Sequence, residues 1–360
     1  MFNSKHYVPI LKWKRAEQGA LIALAEDCKI NITPMIQFVM PRPKESEEFQ
    51  DVILRFKEDV IKKIPDKVIE VWGNAPVFID VSLLFTVPLK ANSLKYIVQA
   101  GNKLGGNFIP VIHLNDDIEI KRVAFLLAKE KGLCLRLITS DFADLNKLKQ
   151  DISKLLSSAG LKERDVDILV DIKETDSDAN KYIRYLNASQ DIPNLLSWRT
   201  YIFAAGSFPK DLTGCKFDEE NLLSRIDWMS WKKNTANPKF KRKPTFADYA
   251  IQNPIYDEKA QFFPPTSSIK YTLENEWLIM KGQKQRFELY LASAAELVKD
   301  ERFYGENFSD GDKYISEKAK HFPIYVKNPA VKGTGSTETW LKAGINHHLT
   351  VVADQIANLL

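Results

Sequence analysis

The sequence predicts an α/β protein, a (β/α)8 TIM-like barrel carrying a C-terminal insertion with a β-hairpin and helices. Two observations carry this. Eight short β-rich runs alternate with segments of helical period between residues 7 and 251. Beyond that point the alternation stops and gives way to a Pro-rich passage, a hairpin pattern and amphipathic stretches.

The eight strand candidates are YVPILKW (7–13), ITPMIQF (32–38), VFIDVSL (77–83), NFIPVIHL (107–114), LCLRLIT (133–139), DILVDIK (167–173), TYIFAAGS (200–207) and TFADYAI (245–251). Between them lie RAEQGALIALAEDC, SEEFQDVILRFKEDVIKKI, SLKYIVQAGNKLG and DIEIKRVAFLLAKEKG, where apolar residues recur at three and four with charge on the opposite face. Strands joined by helical crossovers run parallel, and eight such units close most economically into a barrel, with an open doubly wound sheet as the alternative. The expected organisation is a barrel over 1–251, an insertion over 252–336, and a helix over 337–360 that packs back on the barrel. Within the insertion, IKYTLENEWLIMKG reads as a hairpin around Glu274-Asn275-Glu276, FELYLASAAELVKD as a helix, and the Gly/Asp/Asn-rich stretch after it as a loop. Asp310-Gly311-Asp312 falls short of a calcium loop and reads as a solvated turn.

Bulk properties narrow the class. A chain of 360 residues with a net charge of +4 is a globular protein with a sizeable core, and not a nucleic-acid-coating one. No run of about twenty apolar residues occurs, so no membrane span is expected. Cys28, Cys134 and Cys215 are too scattered for a disulfide framework or zinc knuckle, which points to the reducing cytosol. Phosphate-loop, dinucleotide-fold, zinc-protease and hydrolase-elbow signatures are absent from the text. No cofactor is indicated.

In a barrel of this kind chemistry sits at the C-terminal ends of the strands. There the runs offer Lys12 and Lys14, Gln37, Asp80 and Ser82, His113, Arg136, Asp171 and Lys173, Ser207, and Asp248. Asp80 or Asp171 would serve as general base or metal carboxylate and His113 as a second proton carrier. Lys12, Lys173 and Arg136 suit an anion such as phosphate, with Lys14, Gln37, Ser207 and Asp248 as further binding groups. The competing structural reading is a salt-bridge layer in which Asp80, Asp171, Lys12 and Arg136 neutralise one another.

Four further features could meet a ligand. The loop Ala205–Pro209 has the small residues a phosphate needs, though a plain turn is the better reading of a single Gly-Ser. The basic segment Lys232-Lys233 and Lys239 to Lys243 could meet phosphates, as could Trp198, Trp228, Trp231 and Trp277 stack on bases; surface charge and core packing are the plainer readings. Lys332 with Gly333 to Thr337 is a glycine turn feeding a helix N-terminus. On that helix His348 falls on the apolar stripe as a packing residue, while His347 reaches for a carboxylate or ligand at the rim.

YVPILKWKRAEQGAL, FIPVIHL, LRL, LVDIK, FADYAIQNP, YTLENEWLIMKG and GSTETWLKAGINHHL, in this order and spacing, resemble the beta family of proteins, which is named for a phage T4 protein and occurs in phage and bacterial genomes. The resemblance runs nearly the whole length. It implies a mobile-element or antiphage-defence setting and a partner protein encoded alongside, but no reaction and no catalytic residues. Two functions follow as expectations: an enzyme acting on a phosphate-bearing nucleotide or nucleic acid at the barrel mouth, or a non-catalytic scaffold that binds a partner through its C-terminal insertion.

Overall fold

The structure, a computed structural model, describes residues 2–217, 219–259, 266–331 and 333–359. Eight parallel strands close into a barrel: β1 (Tyr7–Lys12), β2 (Met35–Gln37), β3 (Pro76–Asp80), β4 (Asn107–His113), β5 (Leu133–Ile138), β6 (Val166–Glu174), β7 (Thr200–Gly206) and β9 (Thr245–Asp248), with β9 pairing back on β1. All eight predicted runs supply a strand. Closure removes both sheet edges, and each crossover buries its helix stripe on the outside of the wall.

Side-chain alternation then sorts the strand residues. Val8, Ile10, Met35, Phe78, Ile109, Val111, Cys134, Leu169, Ile202, Ala204 and Ala247 fill the barrel interior, while neighbours of opposite parity join the larger core between wall and helices. Phe2 packs against this interior, with its ring 6.5 Å from that of Phe78. Near the start of β6 and β7, Arg199 pairs in bidentate fashion with Asp167, at 3.0 Å through Nε and 2.5 Å through Nη2.

The helical layer holds one irregularity. α3 (Phe49–Arg55) runs through a π-helical turn, Phe56–Val60, into α4 (Ile61–Trp72), which contains Pro65. α1 (Arg15–Ile22), α5 (Val87–Lys103) and α6 (Ile118–Lys131) match the predicted helical segments.

Outside the barrel, β10 (Ile269–Thr272) and β11 (Glu276–Met280) form the predicted antiparallel hairpin. Its third strand, β8 (Asn221–Ser224), comes from the connection between β7 and β9, so the small sheet also draws on residues before 251. Sequence reading had no strand there, because NLLS is too short to show a period.

α10 (Leu289–Leu297) is the expected helix. The loop expected after it is instead largely helical: α11 spans Asp310–Lys327, starting on a Ser309 cap whose hydroxyl accepts from the Asp312 N–H. Charge and Pro323 hide the stripe of Ile315, Ser316 and Ala319 that it buries. Asp312 is accordingly not in a solvated turn but fully buried. Gly311 is required here, since a Cβ at this position would collide with the Ala343 carbonyl of the helix crossing it.

That helix is α12 (Thr337–Ala357), and it is buried on several sides. Its adjacent histidines point to different partners. His347 bonds Asp312 through Nδ1 and the Thr272 carbonyl through Nε2, both at 2.8 Å. His348 bonds Thr272 Oγ1 and the Asp248 carboxylate, both at 2.9 Å. Asp248 also accepts from the Tyr7 hydroxyl at 2.5 Å. A continuous polar chain thus runs from α11 through α12 and the hairpin to β9 and β1. Among the described residues no helix is long and apolar enough to cross a membrane.

Burial lowers the pKa of His348 despite the opposing pull of Asp248, and burial takes His6 down to about 4. Both are held neutral in the folded chain but bind protons when unfolded, near about 6.5. The unfolding free energy therefore falls as pH drops from about 6.5 towards 4, a slope that urea titrations at stepped pH will show. At neutral pH, His348→Leu removes the hydrogen bond from the neutral imidazole to the Asp248 carboxylate and lowers stability by roughly 2–3 kcal/mol in the same assay.

Candidate functional site

The C-terminal ends of the barrel strands bring together most of the predicted residues. Lys12, Gln37, Asp80, His113, Arg136 and Asp171 share the parity of the interior residues and stand above them. Arg136 is fully buried. Its Nη1 meets Asp80 Oδ2, and its Nε and Nη2 donate to Asp171 Oδ2 at 3.1 and 2.6 Å. Nη2 also reaches the Tyr249 hydroxyl at 2.8 Å, which itself donates to Asp171 at 2.7 Å.

Both carboxylates are saturated. Asp80 accepts from Gln37 Nε2 at 2.9 Å and from the Ser82 N–H at 2.8 Å as well as from Arg136. Asp171 accepts from the Lys173 N–H at 2.9 Å, and Lys173 Nζ lies 3.1 Å from its Oδ2. Burial works to raise both acids, but Arg136 on Asp80, and Lys173 with Arg136 on Asp171, outweigh it and leave them below the ordinary carboxylate range. Groups so well held are poor general bases at neutral pH; this is the salt-bridge layer foreseen as the structural reading, with Gln37 in the place of Lys12.

Three side chains are not absorbed by that layer. His113 Nε2 is buried without a hydrogen-bond partner among the described residues, and burial together with Arg136 lowers its pKa. Lys12 is buried, with Nζ 3.5 Å from Gln252 Oε1 and 3.3 Å from the Asn253 carbonyl. Lys270, half-buried on β10, reaches the Ile251 carbonyl at 3.3 Å and lies 4.5 Å over the Phe208 ring. Burial pushes each of these two ammonium groups down to about 8. They line one cavity of about 400 Å³ with Lys14, Phe208, Asn253 and Tyr256. Lys14 is exposed at its rim, 4.8 Å over the Tyr256 ring.

Lys173 adds backbone strain. It has φ 58° beside a bulge in β6, a left-handed conformation rare for a long side chain, and this brings Nζ to 3.1 Å from the Tyr249 hydroxyl.

Other predicted residues lie elsewhere. Asp248 has the opposite parity and faces outward to Tyr7 and His348, so it is not a mouth residue; Tyr249, one position on, takes that place. Ser207 turns away to donate to Asp227 Oδ1 at 2.6 Å, and Gly206 before it is pressed against Pro254, which makes this loop a packed turn. His347 finds its carboxylate in Asp312, inside the fold and not at the rim. Lys332 lies outside the described residues. In the turn that follows, Ser336 caps α12 by accepting from the Thr339 N–H at 3.2 Å.

The basic segment is partly consumed by structure: Lys241 donates to the Gln190 carbonyl, and Arg242 to those of Leu195 and Trp198. Trp198, Trp228, Trp231 and Trp277 are all core residues, so none is a stacking platform. Among the described residues no three His, Cys, Asp or Glu side chains converge as a metal site. A recess of about 1170 Å³ lies at the opposite end of the barrel around Gly132 and Arg199, remote from these groups.

Sequence reasoning missed Tyr249 and Lys270. Tyr249 was within reach, because strict alternation from Ala247 places it inward. Lys270 was not, since only the docking of the hairpin brings it over the mouth.

Arg136→Met leaves two buried carboxylates without their shared cation, and should cost roughly 3–5 kcal/mol, read as a lowered unfolding free energy or loss of soluble protein.

A sequence model of the beta protein family matches residues 7–354, a span that takes in the barrel, the small sheet and nearly all of α12. The order of motifs and the eight-stranded barrel agree with that match, and the chain belongs to the beta protein family.

Proposed function

We propose that the barrel mouth binds a phosphate-bearing ligand of the nucleotide class, with Lys12, Lys14 and Lys270 as the anion site and His113 as the proton carrier. One observation carries this reading: Lys12, which is buried, and Lys270, which is half-buried, line one cavity with no carboxylate in ion-pair contact with either among the described residues. Glu17 acts on Lys12 from a distance, and Asp211 and Asp257 line the same cavity without an ion pair to either ammonium, so part of the desolvation cost stays unmet and an anionic ligand relieves it. Lys173, held by Asp171 and Tyr249, lends further positive potential. In this scheme Asp80 and Asp171 position Arg136 and are not the base. His113, whose Nε2 has no partner among the described residues, is the mouth imidazole assigned to carry a proton, although it stands outside the lining of the lysine cavity. The mobile-element or antiphage setting that family membership suggests, in the cytosol and alongside a partner protein, is part of the same proposal.

A second reading, a non-catalytic scaffold, is favoured by the saturation of both carboxylates. There the mouth layer is purely structural and the small sheet carries the partner.

Isothermal titration with ribose 5-phosphate separates them. The first reading expects binding that Lys12→Met and Lys270→Met each weaken by about tenfold or more, as befits loss of a charge-assisted hydrogen bond. Because both lysines titrate near 8, affinity holds through neutrality and declines as pH rises above that value; the ester, with its second pKa near about 6, stays dianionic throughout. Absence of binding at neutral pH, with the fold intact, would leave the scaffold reading.

A further inference from the structure

Beside the mouth lies a second cavity, a groove of about 980 Å³ walled by Trp13, Phe38, Met40, Val60, Ile64 and Leu341. It is mainly apolar, yet Lys14 lines both this groove and the lysine cavity, so the two adjoin. Two independent observations mark it as more than a packing defect.

The first is Glu17, which contributes to the groove wall. It is 1% exposed, and Gln252 Nε2 donates to its Oε1 at 2.8 Å, but its Oε2 is buried without a partner among the described residues. An unmatched buried carboxylate oxygen is expensive, and a ligand N–H is the group that would satisfy it. The second is the helical wall. Phe56, Asp59 and Val60 belong to the π-helical turn, a marginal backbone geometry found disproportionately at functional sites.

We propose that this groove holds the base of a mononucleotide whose phosphate lies among Lys12, Lys14 and Lys270, with the Glu17 carboxylate accepting an N–H of the base. The inference rests on the reading of the mouth as a phosphate site and narrows its ligand. A flat ring suits an apolar cleft of this kind, while an amino or ring N–H supplies the donor that Glu17 lacks; an acyl chain would fill the cleft and leave the carboxylate unmet. Lys14 at the junction meets the sugar-phosphate side.

The test is isothermal titration of the full chain at pH 7 and fixed salt with ribose 5-phosphate, AMP, GMP, CMP and UMP, with thermal unfolding to confirm the fold of each variant. At least one mononucleotide should bind about tenfold or more tighter than ribose 5-phosphate, the worth of one hydrogen bond to a charged group. Glu17→Gln, which retains shape but not the charged acceptor, and Val60→Trp, which fills the groove from a half-buried position, should each erase that margin. Val60→Trp should leave ribose 5-phosphate affinity within about twofold, whereas Glu17→Gln, which takes a negative charge from beside Lys12 and Lys14, should leave it equal or tighter. If ribose 5-phosphate binds but no mononucleotide binds more tightly, the groove assignment fails while the mouth reading stands. A margin that persists in both variants overturns the groove assignment too. If nothing binds, both readings fall together.

Discussion

The guanidinium of Arg136 is the constraint on which the mouth of this barrel depends. A cation with no exposure to solvent cannot persist alone, because its desolvation costs several kcal/mol. Asp80 from β3, Asp171 from β6 and the Tyr249 hydroxyl after β9 converge on it, so one side chain on β5 ties distant parts of the wall together. The arrangement also fixes what remains available. Carboxylates committed to Arg136 form no ion pair with Lys12 or Lys270, whose ammonium groups line the neighbouring cavity.

The same economy of charge governs the join between barrel and C-terminal elements. His348 carries the outward carboxylate of Asp248, His347 carries Asp312, and Thr272 of the hairpin touches both rings. Hydrogen bonds of this kind are directional, so they set the register of α12 against β10 more sharply than apolar contact alone. Through that docking Lys270 is delivered to the mouth. The hairpin is thus part of the site's architecture, and the sheet that includes it is stabilised by β8, which the chain supplies before the barrel is finished.

Legibility differed between fold and site for a physical reason. The strands and outer helices announce themselves because period two and period 3.6 follow from local backbone geometry. β8 and α11 escaped because four residues show no period and because charge with a mid-helix Pro masks a narrow stripe. Among site residues, Lys12, Gln37, Asp80, His113, Arg136 and Asp171 were readable as late polar positions of consistent parity. Asp248 breaks that parity, and its assignment to the mouth fails for the reason that Tyr249 succeeds.

By itself the sequence determined the eight-fold alternation, the parallel barrel, the hairpin, the terminal helix and the family, since each is written in local pattern or in the order of motifs. Only the tertiary structure decided which charges cancel. Whether Asp171 is a base or a brace, whether His347 meets a ligand or Asp312, and whether Lys270 overlooks the mouth depend on contacts between residues tens to hundreds of positions apart. Those contacts are settled by packing and by the cost of leaving buried charge unpaired, and neither is encoded in a short window of sequence.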